Sequence, residues 1–152
     1  MKKALESLLA MLMAVVLTGL AGQAQEREAR VDFAMLSQAL VSQGLKAAET
    51  GNVGEAALFF QEAVKLDPGN AGAHANLGKA LFYSRKHTEN DDALKKACEL
   101  KPDFIDAFND WGVTYFELGK IEEAVAALKR AVALRPDFAA AHSHLGYIYN
   151  DQ

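Results

Sequence analysis

The three prolines of this chain, Pro68, Pro102 and Pro136, are spaced at a constant interval of 34 residues. Proline stops or kinks a helix, because it has no backbone N–H and its ring clashes with the preceding turn. A helix-stopping residue that recurs at one interval indicates internal repeats. Aligned on the prolines, the chain divides into units 37–70, 71–104 and 105–138 and a partial unit, 139–152.

Four columns of this alignment hold one residue type, either small or leucine. Small side chains are required where two helices approach to about 8–10 Å, and stacking of such helix pairs buries apolar surface that no single pair could bury. The columns contain Gly44, Gly78, Gly112 and Gly146; Ala39, Ala73, Ala107 and Ala141; Ala63, Ala97 and Ala131; and Leu66, Leu100 and Leu134.

The pattern of large and small residues resembles that of the tetratricopeptide repeat (TPR) family. The resemblance implies an all-α fold, a right-handed superhelix of three antiparallel helix pairs followed by a single C-terminal helix. The third unit carries the motif as Phe108, Trp111, Gly112, Tyr115, Ala124, Leu128, Ala131 and Pro136, and the first matches through Leu40, Gly44, Ala56, Phe60, Ala63 and Pro68.

The middle unit departs from its neighbours at two positions. Gly51 and Gly119 are expected to end the first helices of units one and three in a left-handed turn, but Arg85 stands at the equivalent position. Asn90 replaces the small residue that is Ala56 or Ala124 in the neighbouring units. We therefore predict that this turn closes differently and that the pair is looser or its second helix begins late.

The N-terminal segment has the features of a secretory signal. Lys2 and Lys3 precede an apolar run of ten residues, 8–17, which is too short to span a bilayer. We predict a signal at 1–24, cleaved after Ala24, then a polar connector or N-terminal helix extension at 25–36 and the TPR domain at 37–152. The alternatives are an uncleaved inner-membrane anchor and an ordinary cytosolic helix.

The N-terminal segment contains part of a bacterial lipoprotein signal but lacks the cysteine that carries the lipid. Leu20-Ala21-Gly22 resembles the tripeptide that precedes an acylated cysteine, yet Gln23 follows and has no thiol. Cys98, the single cysteine, cannot form an intrachain disulfide. We therefore expect an exported, periplasmic protein without a lipid anchor or a disulfide framework.

No common catalytic, phosphate-binding or metal-binding motif occurs in the chain. We expect no enzyme activity, no cofactor and no metal. His74, His142, Trp111 and Cys98 occupy packing columns, and His87 is expected to be solvated. A net charge of −4 and a pI near 5.5 argue against a nucleic-acid partner.

The resemblance implies a concave groove lined by the first helix of each unit, suited to a peptide or an amphipathic helix. Several of its aromatic side chains have packing against neighbouring helices as an alternative role. The predicted groove residues are Val41, Leu45, Asn76, Lys79, Phe82, Tyr83, Asn109, Val113, Phe116 and Tyr147.

Chaperone-binding members of the family hold a C-terminal carboxylate with basic and amide side chains. The corresponding residues here are Val41, Leu45, Asp106 and Asp110, and only Asn76 fits. Because acids stand where bases are required, a chaperone-tail ligand is not expected.

The expected function is a protein-interaction scaffold of the cell envelope, in pilus, secretion or outer-membrane assembly. The alternatives are an adaptor that presents substrates to a membrane-bound maturation enzyme and a regulatory subunit of an enzyme on another chain. The partial unit leaves Leu145 and Tyr149 without a covering second helix. We expect this helix either to cap the third unit imperfectly or to offer its apolar face to another protomer, giving a homo-oligomer, or to another protein.

Overall fold

The computed structural model describes residues 22–151, and the side chains of 32–151 except 87 and 88. Within that part, seven α-helices and no strands are present. The predicted signal at 1–24 lies outside the described residues except for its last three. The helices are α1 (Gly22–Glu49), α2 (Val53–Leu66), α3 (Ala71–Tyr83), α4 (His87–Leu100), α5 (Ile105–Glu117), α6 (Ile121–Leu134) and α7 (Ala139–Asn150).

The helix boundaries follow the 34-residue period. The first helices α3, α5 and α7 begin at residues 71, 105 and 139, and the second helices α2, α4 and α6 begin at 53, 87 and 121. Helices α3 and α5 each pack on the second helix of their own pair and on the second helix of the preceding pair, while α1 packs on α2 and α7 packs on α6. The predicted superhelix of three helix pairs and a single C-terminal helix is confirmed.

Residues 25–36 lie inside α1, so the structure has the second of the two forms considered for this segment, a helix extension. Side chains are described from Asp32 onwards. Within residues 22–151, none of the helices combines the length and the apolar character that a membrane crossing requires.

Glycine permits the closest approach between the two helices of a pair. A Cβ on Gly112 would lie 2.6 Å from Cγ of Leu128, and one on Gly44 would lie 2.5 Å from the Phe60 ring. Real Cβ atoms do not come this close to neighbouring carbons, so the neighbours would have to move. The prediction that these positions are small because the helices cross there is confirmed.

The expectation that the turn of unit two closes differently is wrong. Arg85 adopts the left-handed conformation at φ 58°, beside φ 81° for Gly51 and 71° for Gly119. Its N–H donates to the Phe82 carbonyl at 2.9 Å, the same distance as from Gly119 to Phe116. The turn closes as its neighbours do, and the non-glycine residue accepts a strained backbone conformation.

The expectation that the middle pair is looser, or that its second helix begins late, is also wrong. Helix α4 begins in register, and a Cβ on Gly78 would lie 2.6 Å from Cγ of Leu94, as close as Gly112 to Leu128. Asn90 is wholly buried, and its Nδ2 donates to the Gly78 carbonyl at 2.7 Å. The larger side chain is therefore accommodated by a hydrogen bond across the crossing, without a wider separation at the glycine.

The first helices form the inner side of the curve. Helices α1, α3, α5 and α7 contact one another from unit to unit, whereas the second helices of consecutive units do not come equally close in the described chain. A layer of closely spaced helices inside a more widely spaced layer produces a concave surface. This surface contains the candidate site.

Candidate functional site

A pocket of about 170 Å³ opens on the concave surface where α3, α5 and α7 meet above α4. Helix α3 supplies a cationic and two aromatic side chains, α5 supplies a carboxylate, and α7 supplies an imidazole. The lining residues are Lys79, Phe82, Tyr83, Asn90, Asp110, Val113, Thr114 and His144.

A short hydrogen-bonded chain joins α5 to α7 beside the pocket. Asn109 Nδ2 donates to Asp110 Oδ1 at 3.3 Å, and His144 Nδ1 lies 2.9 Å from Asn109 Oδ1. Because an amide oxygen only accepts, His144 is the donor in the second bond. Thr114 Oγ1 donates to the Asp110 backbone carbonyl at 2.9 Å.

Asp110 is the carboxylate of the pocket, and burial raises its pKa above the ordinary 3.8. The positive charge of Lys79 and the hydrogen bond from Asn109 oppose that rise in pKa. A carboxylate that is partly removed from water gains from any N–H donor placed against it. The negative charge of Asp110 is therefore only partly balanced by the donors and cations that the protein itself places around it.

Asn90 brings a second acceptor to the pocket. Its amide nitrogen is bonded to Gly78, but its Oδ1 is buried and has no hydrogen-bond partner among the described residues. Buried polar atoms are nearly always paired, so each exception calls for an explanation. This amide oxygen has unused capacity to accept a hydrogen bond.

Two aromatic pairs project from the groove-lining helices. Tyr83 packs edge-on against Phe82 with ring centroids 5.7 Å apart, and Tyr147 packs edge-on against Phe116 at 5.5 Å. Tyr83 is 64% exposed and Tyr147 is 61% exposed. Large aromatic side chains held this open suit the anchoring of a partner segment.

The structure brings together four of the predicted groove residues, Lys79, Phe82, Tyr83 and Val113, in the pocket. Phe116 and Tyr147 are in contact with each other on the same surface. Leu45, 43% exposed on α1, and the half-buried Asn76 are not among the lining residues of the pocket.

Two predicted groove residues are corrected. Val41 is only 5% exposed and belongs to the core formed by the first two units, where α1 packs on α3, so it presents no surface to a partner. Asn109 is 7% exposed and acts within the protein by linking Asp110 to His144. The two residues occupy the same position of the repeat, and the neighbouring first helix covers that position.

Four lining residues, Asn90, Asp110, Thr114 and His144, were not predicted as groove residues. Asn90 had a signal in the sequence, since an amide at a column of alanines must find hydrogen-bond partners when buried. Asp110 was considered only as a residue that opposes a carboxylate ligand. His144 had no signal, because it meets Asn109 across 35 residues of chain.

The residues assigned to packing columns have local partners. His74 Nε2 lies 3.1 Å from the Pro68 carbonyl and His142 Nε2 lies 2.8 Å from the Pro136 carbonyl, the same contact in two units. Cys98 is buried, which raises the pKa of its thiol to about 12 and keeps it protonated at neutral pH.

Trp111 also has a local role in its packing column. Its ring stacks on Tyr115, and its indole N–H donates to Asp91 Oδ1 at 2.6 Å. No group of three histidine, cysteine or acidic side chains in the described part of the chain is arranged to hold a metal ion.

Comparison with known proteins identifies the repeats. A family model described as tetratricopeptide repeat matches residues 20–71 and 41–103, and a second one described as TPR repeat matches residues 112–152. A search of curated protein sequences finds no match.

Several solved structures share the fold. The first TPR of Spaghetti (RPAP3), bound to an HSP90 peptide, is 24% identical with a TM-score of 0.75, covering 78% of this chain and 94% of its own. The Arabidopsis OM64 TPR domain is 21% identical, with a TM-score of 0.76 and coverages of 79% and 99%.

YrrB, a TPR protein with an unusual peptide-binding site, is 24% identical with a TM-score of 0.69, covering 72% of this chain and 57% of its own. At these identities the likeness establishes the fold. Together with the matched repeat models, the helix period and the glycine crossings, it shows that this chain belongs to the tetratricopeptide repeat family, a family of protein-interaction modules.

Proposed function

We propose that this chain is a non-enzymatic scaffold of the cell envelope that binds a peptide or helix of a partner protein in its concave groove. The observation that carries the proposal is the pair of open tyrosines, Tyr83 and Tyr147, on groove-lining helices beside a polar pocket. Exposed aromatic anchors around a few polar groups are the usual composition of a protein-binding surface.

The rigidity of these anchors supports the same proposal. Each tyrosine is held edge-on by a phenylalanine of the groove, so little rotational freedom is lost when a partner covers it. The solved relatives that are named for a bound peptide or a peptide-binding site, RPAP3 and YrrB, share this fold.

The ligand that we propose differs in charge from the acidic HSP90 peptide SRMEEVD seen with RPAP3. Asp110 lies in the pocket itself, and Asp106 is exposed on the same helix. Like charges brought together across an interface are unfavourable. A C-terminal carboxylate is therefore not the group that this groove is proposed to hold.

The envelope location is proposed from the N-terminal sequence, in which two lysines precede a short apolar run. Fractionation of cells that produce the tagged full chain tests this part. A mature chain that begins at Gln25 in the periplasmic fraction is expected, and a chain found in the cytosol with its first 24 residues intact would contradict it.

A pull-down with the crosslinked full chain from envelope extract identifies the partner, and its affinity is then measured for the variants Tyr83→Ala and Tyr147→Ala. Each variant is expected to weaken binding by about 1–2 kcal/mol, because it removes an exposed anchor. Tyr149→Ala is the matched control, since Tyr149 is 53% exposed on the same helix as Tyr147 but is not a predicted groove residue.

Unchanged affinity of both groove variants would place the partner outside the concave surface. A partner that proves to be a membrane-bound maturation enzyme or its substrate would select the adaptor alternative. A partner whose turnover changes when the chain binds would select the regulatory alternative. Both outcomes keep the groove as the binding site.

A further inference from the structure

We propose that the pocket receives an arginine side chain of the bound partner segment, an inference that rests on the groove being the binding site. The pocket combines two acceptors that lack sufficient donors with an exposed aromatic ring and an acidic helix. Each of these features favours a planar cation that carries several N–H groups.

The first acceptor is the amide oxygen of Asn90. This residue lines the pocket, is wholly buried and uses only its nitrogen, in the 2.7 Å bond to Gly78. A ligand that donates an N–H here gives the orphan oxygen the partner that the protein does not supply. A ligand that offers only acceptors leaves it unpaired.

The second acceptor is the carboxylate of Asp110, on the opposite helix α5. It is partly withdrawn from water and receives one long bond, from Asn109 at 3.3 Å. Hydrogen bonds between ionised partners are roughly twice as strong as neutral ones. A guanidinium offers five N–H groups in a fixed fork, so it is able to serve the carboxylate and a second acceptor together.

The charge around the pocket favours a cation. Apart from histidines, helix α5 carries Asp106, Asp110 and Glu117 and no basic residue, α7 carries no charged residue, and α3 carries only Lys79. The three helices that surround the pocket therefore sum to three negative charges and one positive charge. This surplus attracts a basic segment of the partner.

Tyr83 distinguishes arginine from lysine. Its side chain lines the pocket and is 64% exposed, so much of the ring is accessible to a stacked group. A guanidinium stacks on an aromatic face while its edge forms hydrogen bonds, whereas a strongly hydrated ammonium acts as a point charge. The combination of ring and paired acceptors matches the guanidinium better.

Lys79 opposes this ligand more strongly than His144, the other pocket residue whose positive charge would act on Asp110. Its positive charge stabilises the ionised form of Asp110, so an incoming arginine competes with it. The lysine is exposed and has a long flexible stem, which allows it to move aside. This competition provides a decisive test, because a ligand that offers an acceptor group would instead need Lys79.

Two peptide probes test the proposal on the nitrogen-15-labelled full chain. The probes are acetyl-Leu-Arg-Phe-amide and its twin with citrulline, which has the same shape without the charge. We expect the arginine probe to shift resonances of the residues that line the pocket. It should also bind about tenfold more tightly than the citrulline probe, because only the guanidinium forms charged hydrogen bonds with the carboxylate. Equal binding of the two probes, or shifts only elsewhere, would overturn the proposal.

Three variants make the test specific. Asp110→Asn is expected to abolish the preference for arginine over citrulline, and Asn90→Ala is expected to weaken the arginine probe severalfold. Lys79→Met is expected to tighten the arginine probe about two- to fivefold by removing a like charge. A weaker arginine probe with Lys79→Met would mean that the ligand uses Lys79 as a donor, which contradicts the proposal.

Asp137→Asn is the matched control for the change of charge, because Asp137 is exposed in the turn between α6 and α7 and does not line the pocket. Circular dichroism of each variant shows whether the fold is retained. If the probes fail while the captured partner still depends on Tyr83, the arginine proposal fails and the groove function stands. If the partner ignores the groove altogether, the proposed function itself fails.

Discussion

The middle helix pair and the third pair reach the same backbone geometry with different residues. In the third pair a glycine ends the first helix and an alanine faces the crossing, and the middle pair has Arg85 and Asn90 at those positions. Both pairs nevertheless show the same turn bond of 2.9 Å and the same glycine–leucine approach of 2.6 Å.

The comparison teaches that the stacking of the units dictates the local geometry. A left-handed arginine costs about 1–2 kcal/mol, which is small beside the apolar burial that depends on the turn. The asparagine of the middle pair has a chemical consequence, because Asn90 brings an unpaired amide oxygen to the pocket of the groove.

The largest expected effect tests whether the two crossings are equally tight. Gly78→Ala and Gly112→Ala should each lower the free energy of unfolding by about 2 kcal/mol, because the new methyl would overlap a leucine. Urea denaturation measures both. A much smaller loss for Gly78→Ala would show that the middle crossing is looser than the third.

Gly146→Ala is the control in the same column of the repeat. A Cβ at Gly146 has no neighbour within 4 Å, apart from the residues next to it and its own helix backbone, because no second helix follows α7 in the described chain. Alanine should therefore raise stability by up to about 1 kcal/mol through its helix propensity.

Arg85→Gly has the next largest expected effect. Glycine adopts positive φ without strain, so the variant should be more stable than the parent by about 1 kcal/mol. The opposite change, Gly119→Ala, should lose a similar amount, since Gly119 lies at φ 71°. Thermal unfolding of both measures the difference, and a destabilised Arg85→Gly would show that the arginine side chain contributes more than its backbone costs.

Asn90→Ala introduces into the middle pair the residue found at Ala56 and Ala124. Removing the unpaired oxygen should outweigh the loss of the bond to Gly78, so stability is expected to rise by roughly 0.5–1 kcal/mol. Denaturant unfolding measures it. A clear loss of stability would mean that the amide oxygen is satisfied in solution, for example by an ordered water.

The smallest expected effect is the pH dependence of Asp110. Because its pKa is raised in the folded state, the folded chain holds this proton more firmly than the unfolded chain, and stability falls as pH rises above 3.8. Asp110→Asn removes this contribution, so its advantage in melting temperature over the parent should grow as pH rises above 3.8. A difference in melting temperature that stays constant with pH would contradict this prediction.

The fold could be predicted because its determinants recur in the sequence. Gly112 and Leu128 meet at a crossing that repeats with the 34-residue period, and Gly51 and Gly119 mark turns of one kind. The errors concern the middle pair, where Arg85 and Asn90 were interpreted as obstacles. Each departure has a local remedy, a strained φ or a hydrogen bond, that residue types alone do not reveal.

The site was predicted less completely. Tyr83, Val113 and Lys79 follow from the repeat positions that face the groove, and they do line the pocket. Val41 shares such a position but is covered where α1 packs on α3. The link from Asn109 to His144 depends on the angle between consecutive units, and this angle is set by packing across the whole stack.

Amide hydrogen exchange with and without the captured partner tests the central claim most directly, since it reports which helices the partner covers. The account predicts slower exchange in the groove-lining helices α3, α5 and α7 on binding, strongest around Tyr83 and Asp110, with little change in the outer helices α2 and α6. Protection confined to the outer helices would contradict it.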